Sequence, residues 1–143
     1  KVTASAVDKD GRPELVVDGV VRDMPGVIEH RWMAPLSNEP VWLQLAWEKP
    51  QRIGSVQITF DTGFHRELTL TSADSHNSHM IRDQQPGPVL ADGSERELES
   101  VSGNHQRLRR HFFEPVEAAA LKLVVSATNG SPEARVYEVR CYA

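Results

Sequence analysis

Apolar and polar residues alternate with a period of two along much of this chain. Leu43, Leu45 and Trp47 alternate with Gln44 and Ala46, and Val56, Ile58 and Phe60 with Gln57 and Thr59. Leu68 and Leu70 alternate in the same way with Thr69 and Thr71. Successive side chains of a β-strand point to opposite faces, so this pattern predicts strands with one buried face. Further strands are predicted over Glu97–Val101, Arg107–Phe113, Leu121–Ser126 and Tyr137–Tyr142. Turn chemistry bounds them: Lys49-Pro50, Asp61-Thr62-Gly63, Asp92-Gly93, Ser102-Gly103-Asn104, Glu114-Pro115 and Asn129-Gly130-Ser131-Pro132. The one helix-like stretch, Glu117–Ala120, runs straight into β-rich sequence and reads as the approach to a strand. The Pro- and Gly-containing stretch Asp83–Gly93 reads as one long loop or an irregular hairpin. About seven short strands without a long helix predict an all-β fold, an antiparallel β-sandwich. Periodicity alone does not choose its topology.

At 143 residues the chain fits a single domain, 1–143, large enough to bury a core without staples. A formal charge of -4, from 16 basic and 20 acidic residues, supplies no field that draws it to nucleic acid or anionic lipid. Cys141 is the only cysteine, so an internal disulfide is excluded. No apolar run approaches the 18 or so residues of a membrane span, and the start is not signal-like. Lys1 in place of Met reads as the start of an excised domain or a processed product.

Several short motifs occur in a fixed order. Val16-Val17-Asp18-Gly19 is followed by Trp32, then by Val41-Trp42-Leu43-Gln44-Leu45 and Ile53-Gly54-Ser55-Val56-Gln57-Ile58-Thr59-Phe60. The chain closes on Ala134-Arg135-Val136-Tyr137-Glu138-Val139-Arg140-Cys141-Tyr142. This order resembles the discoidin family, also called the coagulation factor V/VIII C-type domain, and its bacterial relatives, the family 32 carbohydrate-binding modules. The resemblance covers nearly the whole chain. It implies a jelly-roll, galactose-binding-like sandwich that binds carbohydrate without catalysis. It further implies an accessory module of a larger extracytoplasmic bacterial protein, whether secreted, periplasmic or on the cell surface. Animal discoidin domains often carry a cysteine at each end, and a lone Cys141 favours the bacterial branch.

The resemblance also implies sites. In the family an Asp-Gly after two apolar residues opens a loop that holds a structural calcium ion, completed by a Glu of the last strand. Asp18 and Glu138 match those positions, and Asp23 offers a third carboxylate from the same loop. A hard cation takes about six to eight oxygens, which carboxylates and loop carbonyls supply. The bland alternative is a turn at Asp18-Gly19 and a surface charge at Glu138. Trp32 stands where the family has a Trp, here within His30-Arg31-Trp32-Met33-Ala34, as a packing residue or a ligand contact. In sugar-binding relatives the loop after the next strands presents a cation, an amide and an aromatic; here it contains Asp61, Phe64, His65 and Arg66. Sugars need planar donors and acceptors for their hydroxyls and an apolar face for their C–H surface. Asn129, in the turn before the last strand, has an amide suited to bridging hydroxyls or simply to making that turn.

Other clusters point elsewhere. His76 and His79 lack the further ligands of a structural zinc site and read as a polar loop. Asn104–His111 is rich in Arg and His, but on a strand these charges divide between two faces and no aromatics interleave them. Nucleic acid is therefore excluded as the expected partner, while an acidic glycan or a partner domain stays open for that cluster. Only Met24, Val27 and Ile28 hint at a membrane-inserting loop, which disfavours a membrane partner. No nucleophile elbow, phosphate loop or paired His-Glu motif is present, so no enzymatic activity is expected. The competing reading is a docking domain that packs against other domains of its parent chain, such as a flavin-dependent oxidoreductase core, and binds no sugar.

Overall fold

A computed structural model describes residues 1–22, 30–62 and 81–143. Six strands are described: β1 (Val2–Ala4), β2 (Trp32–Pro35), β3 (Val41–Phe60), β4 (Ile81–Val89), β5 (Leu108–Thr128) and β6 (Glu133–Tyr142). A short 3-10 helix, Pro13–Val17, precedes β2. All pairings are antiparallel, in the order β2-β6-β3-β5-β4, with β1 also on β3.

Two long bent strands turn this sheet into a sandwich. The first half of β3 pairs with β1 and with the second half of β5, and the second half of β3 pairs with β6 and the first half of β5. The register breaks between Ala46 and Gln51, at Lys49-Pro50, and the two halves close over one core. Proline there cannot donate to a ladder, so the bend falls where pairing is already lost. Val41, Leu43 and Leu45 enter the core from one half, and Ile53, Val56, Ile58 and Phe60 from the other. The inward phase passes from odd to even positions at Gly54-Ser55, where a second register shift absorbs the change. In β6 the pairing steps from Thr59–Glu138 to Phe60–Val136, so Tyr137 is the bulged residue and both Val136 and Val139 reach the core.

Several expectations change in detail. The strands expected at Arg107–Phe113 and Leu121–Ser126 are one strand, β5, and the helix-like Glu117–Ala120 lies within it. Asp83–Gly93 is not a long loop, because Ile81–Val89 forms β4. Its Pro86 and Pro88 are tolerated because β4 lies at the end of the strand order. Glu97–Val101 is not a strand. The Arg96 and Leu98 N–H groups donate to the Pro88 and Pro86 carbonyls, but the prolines have no N–H to return, so only isolated bridges at Glu95 and Val101 form. Strands β1 and β2 were not apparent in the pattern. The strand expected around Leu68–Leu70 lies outside the described residues.

Candidate functional site

Asp18 follows the 3-10 helix, which packs against β2 and β6, the strands that carry Trp32 and Glu138. The turn at Asp18 is set locally: Gly19 has a φ of 87°, which favours glycine, and the Val20 N–H donates to Asp18 Oδ1 at 2.7 Å. Asp18 Oδ2 lies 2.7 Å from His30 Nδ1. Glu138, in the middle of β6, is buried. Its Oε1 takes a 2.7 Å contact from Arg140, while Oε2 is buried without a hydrogen-bond partner among the described residues. A buried carboxylate oxygen left over in this way suits a cation, since an unmatched charge is otherwise costly. Asp18 is less available, with both oxygens engaged, and Asp23 lies outside the described residues. Among the described residues no three carboxylate, His or Cys side chains cluster as metal ligands.

Two residues expected to touch ligand are placed otherwise. Trp32 is fully buried, with its indole N–H donating to the Ala6 carbonyl at 3.0 Å, so it has no ring face to offer a sugar. Asp61 is also fully buried. Its Oδ2 lies 3.4 Å from Arg135 and 3.9 Å from Arg31, and its carboxylate serves as counter-charge to two guanidinium groups. Arg31 is itself buried and donates to the Tyr137 hydroxyl at 3.2 Å. Arg31 and Arg107 each lie 5.8 Å from the Tyr137 ring centre, a cation–π arrangement. Arg107, just ahead of β5, also donates to the Val21 carbonyl, tying the start of that strand to the segment after Asp18. This Arg31–Asp61–Arg135–Tyr137 network is structural, and the sequence carried no sign that β2 and β6 would bring its members together. Phe64, His65 and Arg66 lie outside the described residues. Asn129 is exposed, its amide donating to the Asn104 carbonyl at 3.2 Å.

The Arg- and His-rich stretch 104–111 is divided as alternation requires. Asn104 is buried and donates to the Ile81 carbonyl at 2.8 Å. Arg109 and His111 both reach Glu99, at 3.6 and 2.6 Å. Arg110 faces the other way and donates through Nε to Gln57 Oε1 at 2.9 Å.

Beside Arg110, across β5, β3 and β6, lies an open trough of about 220 Å³ lined by Ser55, Gln57, Arg110, Phe112 and Tyr142. Phe112 is 78% exposed and Tyr142 46%. Ser55 pairs with Phe112 on one side and Tyr142 on the other; Gln57 pairs likewise with Arg110 and Arg140. Small Ser55 thus forms the floor between two aromatic walls. Sequence reasoning missed this surface. Its only sign was an aromatic at an outward position of each of two strands, and the register that aligns them was not readable. The Arg140 guanidinium is held above its ordinary pKa by Glu138 and, secondarily, by Tyr142. Burial alone pushes the Cys141 thiol up to about 12.

A family model described as "Domain of unknown function (DUF7402)" matches residues 1–71. No curated protein sequence matches the chain. Solved structures align with it over its full length. Chitosan-binding module 1 of a chitosanase/glucanase from Paenibacillus sp. IK-5 is 12% identical with a TM-score of 0.75, covering 100% of this chain and 94% of that one. The family 32 carbohydrate-binding module of Clostridium perfringens NanJ, solved with galactose, is 14% identical with a TM-score of 0.74, covering 100% and 93%. A fucose-binding module of Streptococcus pneumoniae is 12% identical with a TM-score of 0.75, covering 100% and 93%. Among the described residues no helix is long and apolar enough to cross a membrane. The bent strands β3 and β5, the antiparallel order and these full-length alignments together establish that the chain has the discoidin-type jelly-roll fold of the family 32 carbohydrate-binding modules.

Proposed function

We propose that this domain binds carbohydrate without catalysing a reaction, as an accessory module of a larger extracytoplasmic protein. The observation that carries the reading is full-length agreement in fold with modules whose ligands are chitosan, galactose and fucose. One scaffold with such different ligands leaves the choice of sugar to side chains on its surface. Phe64, His65, Arg66 and Asn129 remain the ligand candidates, whereas Trp32 and Asp61 are committed to the interior. A calcium ion on Glu138 and the Asp18 loop belongs to the same reading, supported by the unpartnered Glu138 oxygen.

A glycan array followed by calorimetric titration tests the function. Binding of at least one glycan is expected. Arg66→Ala should weaken it, because a hydrogen bond from a charged donor contributes about 1.5–3 kcal/mol, or roughly ten- to a hundredfold in affinity. A wild-type protein that binds nothing on a broad array refutes the reading and leaves the docking-domain alternative, for which exposed Phe112 and Tyr142 would provide the contact surface.

A further inference from the structure

We propose that the trough between Phe112 and Tyr142 is a second carbohydrate subsite, on the open face of the sheet, and that it takes a sugar residue bearing a carboxylate. The inference rests on the carbohydrate-binding reading and adds to it a place and a ligand class. Neighbouring strands stand about 4.8 Å apart and outward residues about 7 Å apart along a strand. The array formed by Phe112, Ser55 and Tyr142 in one row and Arg110, Gln57 and Arg140 in the next therefore spans roughly 10 by 7 Å, the footprint of one pyranose ring. At about 220 Å³ the trough is smaller than the roughly 300–1,000 Å³ of pockets for drug-sized ligands, which suits a single residue of a glycan.

Its chemistry is divided as a sugar requires. Phe112 and Tyr142 supply aromatic surface, whose ring faces with their negative quadrupole suit the C–H surface of a pyranose. On the floor, neither the Ser55 hydroxyl nor the Gln57 amide nitrogen has a protein partner among the described residues, so both are available to hydroxyls. The Gln57 amide is oriented by Arg110, whose Nε must meet the amide oxygen. With Nε engaged, the two terminal nitrogens of Arg110 form the remaining edge of the guanidinium. No carboxylate of the described residues neutralises it, unlike Arg140, which is paired with Glu138, or Arg109, which is paired with Glu99. A planar two-donor edge matches a carboxylate in bidentate fashion. One ligand with an apolar face and a carboxylate can cover Phe112 and pair with Arg110 at the same time.

The test uses the intact domain, with an oligogalacturonate trimer and the corresponding neutral galactose trimer as probes. Binding is read by calorimetry and by amide chemical-shift perturbation. The wild type should bind the acidic trimer at least tenfold more tightly than the neutral one, with shifts centred on Ser55, Gln57, Phe112 and Tyr142. Arg110→Gln should abolish that preference, and Phe112→Ser should weaken the acidic trimer tenfold or more. Both substituted side chains are exposed, so thermal melts of the two variants should match the wild type. A protein that binds a glycan on the array, yet whose trough variants bind it unchanged, overturns the subsite and leaves the carbohydrate reading intact. Equal binding of acidic and neutral trimers through the trough overturns the ligand class. Self-association that vanishes in Phe112→Ser assigns the trough to a second copy of the chain and overturns the proposal. Absence of binding to any glycan removes the subsite together with the function on which it rests.

Discussion

Replacement of Asp61 by Ala tests whether the polar end of the sandwich is structural or ligand-binding. The carboxylate is fully buried, 3.4 Å from Arg135 and 3.9 Å from Arg31, and Arg31 is only 5% exposed. Two unit charges about 4 Å apart interact by about 4 kcal/mol at an effective dielectric constant near 20. Desolvation offsets much of that attraction in the intact network. Removing one partner, however, leaves the other charge buried, a loss of about 3–5 kcal/mol. Arg135 keeps Glu133 at 2.7 Å, which places the expected loss at the lower end, about 3 kcal/mol. Domains hold about 5–15 kcal/mol in all, so the variant should remain folded with a clearly lower urea midpoint. The slope of the transition should not change, because the surface exposed on unfolding is the same. Asp61→Asn, which keeps the volume and loses the charge, should fall between the two. Glycan affinity measured on folded protein should be unchanged in both variants. A loss below about 1 kcal/mol accompanied by weakened glycan binding would show that Asp61 faces the ligand, and the network argument would then fail.

Three other outcomes follow from named contacts. If Glu138 and the Asp18 loop hold calcium, chelation should lower the melting temperature of the metal-loaded protein and Glu138→Gln should blunt that response; an unchanged melt excludes a stabilising ion. The Asp83 carboxyl is held below its ordinary pKa chiefly by the Gly103 N–H at 3.0 Å, which, with help from Arg82, outweighs the opposing effect of burial. A depressed folded pKa contributes stability above the unfolded value near 4 and loses it as pH falls through the folded value. Asp83→Asn should therefore cost at most about 1 kcal/mol at pH 6, and the difference should close as pH drops below about 4. Cys141, its thiol pushed up to about 12 by burial, should react with iodoacetamide at pH 8 far more slowly in native than in urea-unfolded protein, and equal rates would contradict that burial.

The β-class of the fold was legible because burial on one face imposes a period of two, and Leu43–Leu45 and Val56–Phe60 keep it cleanly. The short strands β1 and β2 were not legible. Three or four residues give too few positions to show a period, and Trp32, Met33 and Ala34 are buried in succession because both sides of β2 are covered. Strand β4 was hidden by Pro86, Gly87 and Pro88, which read as turn residues but are admissible at an edge. Asp18 and Glu138 were singled out through motif resemblance alone, and periodicity gave no sign that Glu138 would be buried in β6 with one oxygen unpartnered among the described residues. Packing was one of the two roles the position of Trp32 offered, but the role of Asp61 was not legible, because a polar residue at a loop boundary gives no sign of which residues will cover it. The trough escaped for a related reason: its residues come from three strands whose alignment depends on two bulges.

The pairing of β3 with β5 also has a consequence during synthesis. Val41 pairs with Val125 and Thr59 with Leu108, so the partner of β3 is made long after β3 itself. At about 5–20 residues per second, the wait is on the order of several seconds. Through that interval Val56–Phe60, an apolar β-prone run, has no ladder on its β5 side and is open to pairing with another nascent chain. Glu48, Lys49 and Arg52, all solvent-exposed in the finished sandwich, lie just ahead of that run and place charge and a proline bend beside it. Their use is then earlier than the native state. Replacing the three by alanine should lower the soluble yield from cells while leaving the melting temperature of the purified domain nearly unchanged, and an unchanged yield would count against this role.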